Sequence, residues 1–147
     1  MVKAGETAVV GRWEHFAHDA DIGVRGIGPT LESAFEQAAF ALMAVVGDPA
    51  TVAATTFIAL SCKASTDEDL LYDWLNAVVF AMATQRMMFG RFKVRIHRPY
   101  LRAIAWGEPI DVARHAPAAE VKGATYTELR VHRDSAGQWT AQCVVDV

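Results

Sequence analysis

The sequence predicts an α+β domain in which two amphipathic helices pack on mixed, mostly antiparallel β-sheet structure. Apolar residues recur at spacings of three and four in two segments, and from Phe89 onward the apolar period changes to two. With 147 residues and 52% hydrophobic content, the chain can bury roughly 68–70% of its unfolded surface around one core. We therefore expect one domain over residues 13–147, preceded by a loose N-terminal segment, residues 1–12.

The first predicted helix follows a segment of β-type composition, residues 12–28. Gly28 and Pro29 are turn residues, and Thr30 is a candidate N-cap because its hydroxyl can accept a hydrogen bond from the first helical turn. The sequence "GDP" at residues 47–49 should end this helix.

The second predicted helix follows a β-branched segment, residues 51–64, which is typical of a strand. Thr66 is its candidate N-cap, and the acidic residues 67–69 suit the positive end of the helix dipole. Trp74 belongs to the apolar stripe of this helix, so we expect it to be buried.

The C-terminal half alternates as strands do. Residues 92–97 and 100–107 are predicted strands, and the final hairpin turns at residues 134–137. Between them, residues 108–120 contain two prolines and no periodicity, which predicts an exposed loop.

Composition argues against several classes of protein. The formal net charge of -3 argues against nucleic-acid binding by bulk electrostatics, so we expect no DNA partner and only an indirect connection to RNA. The apolar runs are shorter than the roughly 18–20 residues that span a bilayer, and the N-terminus lacks a signal-peptide core, which predicts a soluble, cytoplasmic protein. Cys62 and Cys143 lack a C-x-x-C spacing, so we expect buried, unpaired side chains.

Two acidic segments are candidates for a cation site. Asp19 and Asp21 flank one alanine just behind His18, and in an extended strand they would point to one side, where they could share an ion or face water. Asp146 ends the last predicted strand beside the carboxylate of Val147, and hard cations such as Ca²⁺ or Mg²⁺ prefer such oxygens. The alternative is a set of solvated aspartates and a frayed chain end.

Four stretches of the chain are similar to the archease family. Residues 18–43 resemble its His-x-Ala-Asp opening and first helix, residues 70–82 its second helix, and residues 103–131 and 139–147 its C-terminal half. The resemblance runs over nearly the whole chain. It implies an archease-like fold and a non-catalytic partner of an RtcB-type RNA ligase, which joins tRNA halves during splicing. An archease promotes guanylylation and multiple turnover of that ligase.

The resemblance also implies a metal site. The aspartates of the family's opening and closing motifs are metal ligands, and they correspond to Asp21 and Asp146 here. We expect the Val147 carboxylate to join them, with Asp48 or Asp19 completing the site. A mixed set of oxygens favours Ca²⁺, with Mg²⁺ or Mn²⁺ as alternatives, because Ca²⁺ tolerates irregular ligand numbers.

Further residues are assigned near this site. By resemblance Lys122 is a functional residue, although a lysine stem that covers apolar surface would also explain it. His18 lies in the opening motif, and His115 matches the family pattern or holds its loop by hydrogen bonding. The chain departs from the family pattern at two positions: the family often has Thr where this chain has Asp19, and often has His where this chain has Thr127. These departures leave the ion preference open.

Two other function classes stay open. A metal held by Asp21 and Asp146 could activate water for phosphoester hydrolysis, with His18 or His115 as general base. An acidic cluster could instead be the docking patch of a chaperone or scaffold module. The chain contains no P-loop, H-E-x-x-H or G-x-S-x-G motif, in agreement with a role as a non-catalytic activator.

Overall fold

The computed structural model describes residues 11–147, and these residues form two antiparallel sheets packed with two long helices and one short helix. The predicted α+β class and single domain are confirmed. The elements in chain order are β1 (Arg12–His18), β2 (Asp21–Gly28), α1 (Leu31–Val46), a 3-10 turn (Pro49–Thr51), β3 (Thr56–Lys63), α2 (Asp67–Gln85), β4 (Met87–His97), β5 (Tyr100–Pro109), α3 (Val112–His115), β6 (Gly123–Ala124), β7 (Arg130–Arg133) and β8 (Trp139–Asp146).

The first sheet has the strand order β1-β2-β8-β6, and β7 also pairs with β8. Helix α1 covers one side of it, because a Cβ atom on Gly26 would meet the main chain of α1 at Ala34 and Ala38. On the other side Arg25 donates to Gln142 Oε1 at 2.9 Å and to Glu14. Strand β8 is therefore the centre of this sheet and is buried on both faces along most of its length.

The second sheet has the order β3-β5-β4, which leaves β4 at an edge. Helix α1 covers this edge with two glutamates: Glu36 accepts a hydrogen bond from the Val94 N–H at 2.8 Å, and Glu32 accepts one from the Ile96 N–H at 3.4 Å. These two N–H groups of β4 are therefore hydrogen-bonded to carboxylates. On an uncovered edge strand they would be free to pair with another chain and promote aggregation.

Both helices begin where the sequence predicts. The Thr30 hydroxyl accepts from the Ser33 N–H at 3.0 Å, and the Thr66 hydroxyl accepts from the Asp69 N–H at 3.1 Å. Helix α1 ends at Val46, before the predicted stop. Trp74 is fully buried, as predicted.

Two predicted strands have different limits in the structure. Residues 12–28 form a hairpin, and Asp19 lies in its turn with a left-handed φ of 51°, so Asp19 and Asp21 do not share one extended strand. The left-handed region is open to aspartate because its short polar side chain reduces the steric cost. The segment predicted as one strand over residues 51–64 becomes regular only at Thr56: the 3-10 turn includes Thr51, and the Ala53 N–H donates to the Glu108 carboxylate and not to a neighbouring strand.

The loop predicted over residues 108–120 is not wholly exposed. Strand β5 continues to Pro109, helix α3 follows, and both Glu108 and His115 are buried. Pro109 is the last residue of β5, and the hydrogen bonding continues past it, because the Ile110 N–H donates to the main-chain oxygen of Arg86 at 3.0 Å. The hairpin turn at residues 134–137 is confirmed, and two short strands, β6 and β7, precede it.

The expectation of a loose segment falls mainly on residues 1–10, which lie outside the described residues, and Arg12 already begins β1. Cys143 is buried, Cys62 is half-buried, and neither forms a disulfide. Burial raises the pKa of the Cys62 thiol to about 11 and that of the Cys143 thiol to about 12. None of the helices in the described part of the chain has the length and apolar character needed to cross a bilayer.

Candidate metal site

One end of the first sheet brings most of the residues predicted for the site into a row. His18 pairs with Asp21 across the β1–β2 hairpin. Since Ile22 pairs with Val145, Asp21 and Asp146 are the next neighbours at the end of the same ladder. The pairing of Gly123 with Asp146 on the other side places β6 beside them.

The alternation of the strands determines which face this row presents. Gly26 faces α1, so Asp21, an odd number of residues away on β2, belongs to the opposite face of the sheet. Residues directly opposite each other in an antiparallel pair point to the same side, so Asp146 lies on that face too. Asp21 is half-buried and Asp146 is exposed.

The two carboxylates have no salt-bridge partner in the part of the chain that the structure describes. Among the described residues, neither Asp21 nor Asp146 forms an ion pair. Neighbouring carboxylates repel each other unless a cation or solvent compensates their charge. The candidate donors at this end of the sheet, the two carboxylates and the main-chain oxygens of the half-buried Val147, are oxygens, the ligand type that hard cations such as Ca²⁺ take.

Asp19 and Asp48 occupy different positions from this pair. The Asp19 side chain is 94% exposed in the turn, with Oδ2 3.9 Å from Nδ1 of His18. Asp48 follows α1 and caps the 3-10 turn, where its Oδ1 accepts from the Ala50 N–H at 2.9 Å. Within residues 11–147, no three Asp, Glu, His or Cys side chains form a group that could hold a metal ion, so neither residue joins Asp21 and Asp146 in one.

The main chain of Lys122 is hydrogen-bonded to that of Asp146. Its N–H donates to the carbonyl oxygen of Asp146 at 2.7 Å, and its side chain is exposed. This hydrogen bond continues the β6–β8 pairing by one residue and holds the end of β8 in place. Lys122 thereby lies at the same end of the sheet as His18, with Asp21 and Asp146 between them.

His115 belongs to a separate buried cluster. Its Nδ1 accepts from the Asp111 N–H at 2.9 Å, and its Nε2 lies 2.9 Å from Glu108 Oε2. Arg114 donates to both oxygens of Glu108 at 2.7 Å, and the Ala53 N–H donates to the same carboxylate. These donors hold the pKa of Glu108 well below its ordinary value, with Arg114 making the largest contribution.

Sequence reasoning missed Glu108 and Arg114. The available signal was an acidic residue with Arg and His six and seven positions later, inside a segment that was predicted to be an exposed loop. The cluster ties α3 to β5 and to the segment after the 3-10 turn.

The fold and this sheet end define a class: a small two-sheet α+β protein with two aspartates at the ends of neighbouring inner strands and, in its sequence, no nucleotide-binding loop or nucleophile motif. Comparison with known proteins identifies the class. A family model described as the Archease protein family (MTH1598/TM1083) matches residues 13–147. The chain belongs to the archease family.

Individual relatives agree. The chain is 38% identical to Protein archease of Pyrococcus furiosus over 140 residues, which cover 92% of this chain and 99% of the relative. It is 39% identical to Protein archease of Thermococcus gammatolerans, with the same coverage. The solution structure of Methanobacterium thermoautotrophicum protein 1598 matches it with a TM-score of 0.79 and 29% identity, and the match covers 92% of this chain and 98% of the other.

Proposed function

We propose that this chain is a non-catalytic, metal-binding protein cofactor that activates an RtcB-type RNA ligase in the cytoplasm. It promotes guanylylation and multiple turnover of the ligase during tRNA splicing and RNA repair. Membership of the archease family supports this role. The observation that supports the metal-binding part is that the β2–β8 ladder ends with Ile22 opposite Val145, so that Asp21 and Asp146 are the next residues on two neighbouring strands.

The proposed ion is Ca²⁺, with Mg²⁺ or Mn²⁺ as weaker alternatives. Ca²⁺ takes about 6–8 oxygen ligands in irregular geometry, whereas Mg²⁺ demands an octahedron. Asp21 and Asp146 would supply two side chains, the main chain of Val147 would supply further oxygen, and water would complete the shell. When bound, the ion adds a positive charge at this end of the sheet, where the exposed Asp146 can contact a partner.

The test is guanylylation of the cognate ligase in the presence of GTP and metal, with and without this protein. We expect the wild type to increase the guanylylated fraction, and Asp21→Asn and Asp146→Asn to lose that stimulation while keeping the wild-type melting temperature in metal-free buffer. Asp69→Asn is the matched control, since Asp69 is an exposed aspartate in the first turn of α2. If an active ligase reaches the same guanylylated fraction with and without the wild-type protein, the proposal is overturned.

The hydrolase alternative is tested in the same preparation. A two-metal hydrolase needs more carboxylates and histidines than two aspartates, and the described residues contain no group of three such side chains. We expect no metal-dependent phosphatase or nuclease activity. Hydrolysis that is lost in Asp146→Asn would instead favour the enzyme, and stimulation of the ligase that survives in Asp21→Asn and Asp146→Asn would favour a scaffold.

A further inference from the structure

The outer face of the second sheet is strongly basic. Five Lys and Arg side chains project from three adjacent strands on the side that α1 and α2 do not cover, and all five residues are exposed. We call this surface the basic face; its cations are Lys63, Arg91, Lys93, Arg95 and Arg102.

The strand register shows that these side chains share one face. Arg95 pairs with Arg102, and Lys63 pairs with Tyr100 two residues before Arg102. Arg91 pairs with Trp106. Opposed residues point to the same side, and residues two apart on one strand do as well.

Within residues 11–147, few acidic groups lie near the basic face. None of its five cations forms an ion pair in the part of the chain that the structure describes. Among the outward positions of β3, β4 and β5, one residue is acidic: Glu108, at the end of β5, is buried and its carboxylate is held by Arg114, His115 and the Ala53 N–H. Glu32 and Glu36 lie at the β4 edge, but their carboxylates accept main-chain N–H groups there.

Arg95 and Arg102 stand directly opposite each other on neighbouring strands. Like charges in this arrangement destabilise a sheet. A bound polyanion would turn the repulsion into attraction, so the pair indicates a partner with closely spaced negative charges.

Aromatic rings accompany the cations. Phe57 and Tyr100 are 60% and 51% exposed, and both lie on the basic face. Between Phe57 and Arg91 lies Trp106, and the Arg91 guanidinium carbon is 4.6 Å from the centre of its ring. Open sheets that combine exposed aromatic rings with basic side chains are suited to single-stranded nucleic acid, because unpaired bases stack on the rings while cations contact phosphates. An acidic protein surface would explain the cations but not the exposed rings.

We propose that the basic face binds single-stranded RNA, with Arg95 and Arg102 on phosphates and Phe57 as a stacking platform. The choice of RNA over DNA rests on the proposed function, since the partner ligase acts on RNA. This inference differs from the expectation drawn from net charge. A total of -3 averages over the whole surface, whereas association responds to the local field of a patch.

The electrostatic test is fluorescence anisotropy of the wild-type protein with a labelled single-stranded RNA of about 12 nucleotides, within the usual site size. Five phosphate contacts predict that affinity falls about 100-fold between 50 and 200 mM salt. The variant Arg95→Gln/Arg102→Gln should bind about 60-fold more weakly at 50 mM salt and lose only about 20-fold over the same range. Removing a like-charge pair should leave its unfolding midpoint at or above that of the wild type.

The matched control is Arg130→Gln/Arg133→Gln, which removes the same charge from exposed positions on β7 in the first sheet. It should leave RNA affinity within about twofold of the wild type. Equal loss of RNA affinity in both double variants would overturn the proposal, because the effect would then be one of net charge.

Phe57→Ala tests the stacking part. Loss of one stacked base should weaken RNA binding by about 5- to 150-fold. Phe80→Ala is the control, since Phe80 is 69% exposed on α2, and it should bind RNA as the wild type does. Wild-type affinity in Phe57→Ala would overturn the stacking assignment.

Three further measurements separate this proposal from its rivals. Equal affinity for single-stranded DNA overturns the assignment to RNA, and tighter binding of a poly-glutamate peptide assigns the face to an acidic protein. Guanylylation of the ligase without RNA reports the proposed function alone. Arg95→Gln/Arg102→Gln should still stimulate it, and loss of that stimulation would overturn RNA as the occupant in favour of the ligase.

Discussion

The indole Nε1 of Trp74 donates a hydrogen bond to the main-chain oxygen of Phe35 at 3.0 Å, and both side chains are fully buried. This contact joins α2 to α1 in the core of the molecule. The ring of Trp74 also meets Phe92 of the second sheet edge to face, with centroids 5.9 Å apart. One side chain therefore links both long helices and a sheet.

Trp74→Ala should lower the free energy of unfolding by about 3–5 kcal/mol, because it removes a large buried side chain and leaves a cavity. Trp74→Phe should cost less, since it keeps much of the packing and loses the hydrogen bond. Urea denaturation followed by circular dichroism measures both. Phe80→Ala, on the exposed side of α2, should stay within about 0.5 kcal/mol of the wild type. A midpoint near that of the wild type for Trp74→Ala would contradict the central role of this contact.

Calcium should stabilise the wild-type protein if Asp21 and Asp146 bind it. At free ion a hundredfold above the dissociation constant, the free energy of unfolding should rise by about 2.7 kcal/mol. Asp146→Asn should remove most of this gain, whereas Asp69→Asn should keep it. Differential scanning calorimetry across a calcium titration measures the effect. The same calcium response in all three proteins would mean that the ion binds elsewhere.

Glu108 predicts a specific response to acid. Its pKa lies well below the ordinary 4.5 in the folded protein, chiefly through Arg114 and then through the Ala53 N–H and His115. A depressed folded-state pKa contributes stability above the unfolded-state value, and that stability is lost as the pH falls below about 4.5. Glu108→Gln should therefore be less stable than the wild type at neutral pH and should show a flatter decline below pH 4.5.

Stability curves from pH 7 to pH 2 would measure this difference. Glu120→Gln is the control, because Glu120 is exposed and forms no ion pair among the described residues. Parallel curves for the wild type and Glu108→Gln would show that the cluster does not hold the carboxylate in its charged form.

Glu36 differs from Glu108 because its charged form is disfavoured in the folded protein. Burial raises its pKa, although the hydrogen bond from Val94 opposes the shift. Glu36→Gln keeps an acceptor for the Val94 N–H without a buried charge, so it should be as stable as the wild type at pH 7 or more stable. Glu36→Ala leaves that donor without its partner and should cost about 1–3 kcal/mol. Chemical denaturation at pH 7 measures both, and equal stability of the two variants would show that the hydrogen bond is unimportant.

Local signals were sufficient for much of the fold. Thr30 and Thr66 cap the helices that follow them because N-capping depends on residues within one turn. The alternation of apolar and polar residues from residue 92 onward likewise predicted strands correctly. The division of residues 12–28 into a hairpin was not predicted, since the turn at Asp19 and Ala20 contains no glycine to mark it.

The candidate sites depend on contacts that no local pattern specifies. The sequence suggested Asp21 and Asp146 separately, and their proximity follows only from the β2–β8 register, in which their neighbours Ile22 and Val145 are paired. Arg95 and Arg102 meet through the register of β4 with β5, so net charge concealed the basic face. The Glu108 cluster required the position of α3, which has only four residues and little periodicity to detect.

Strand β8 pairs with β2, β6 and β7, and Gln142 meets Arg25 across a separation of 117 residues. Closing so long a loop costs entropy before its contacts can repay it, and such distant pairings slow folding. During synthesis, the β1–β2 hairpin must wait with one edge unpaired until β8 leaves the ribosome. An unpaired strand edge can associate with other chains. A chaperone would therefore be most useful to the nascent chain before β8 has been synthesised.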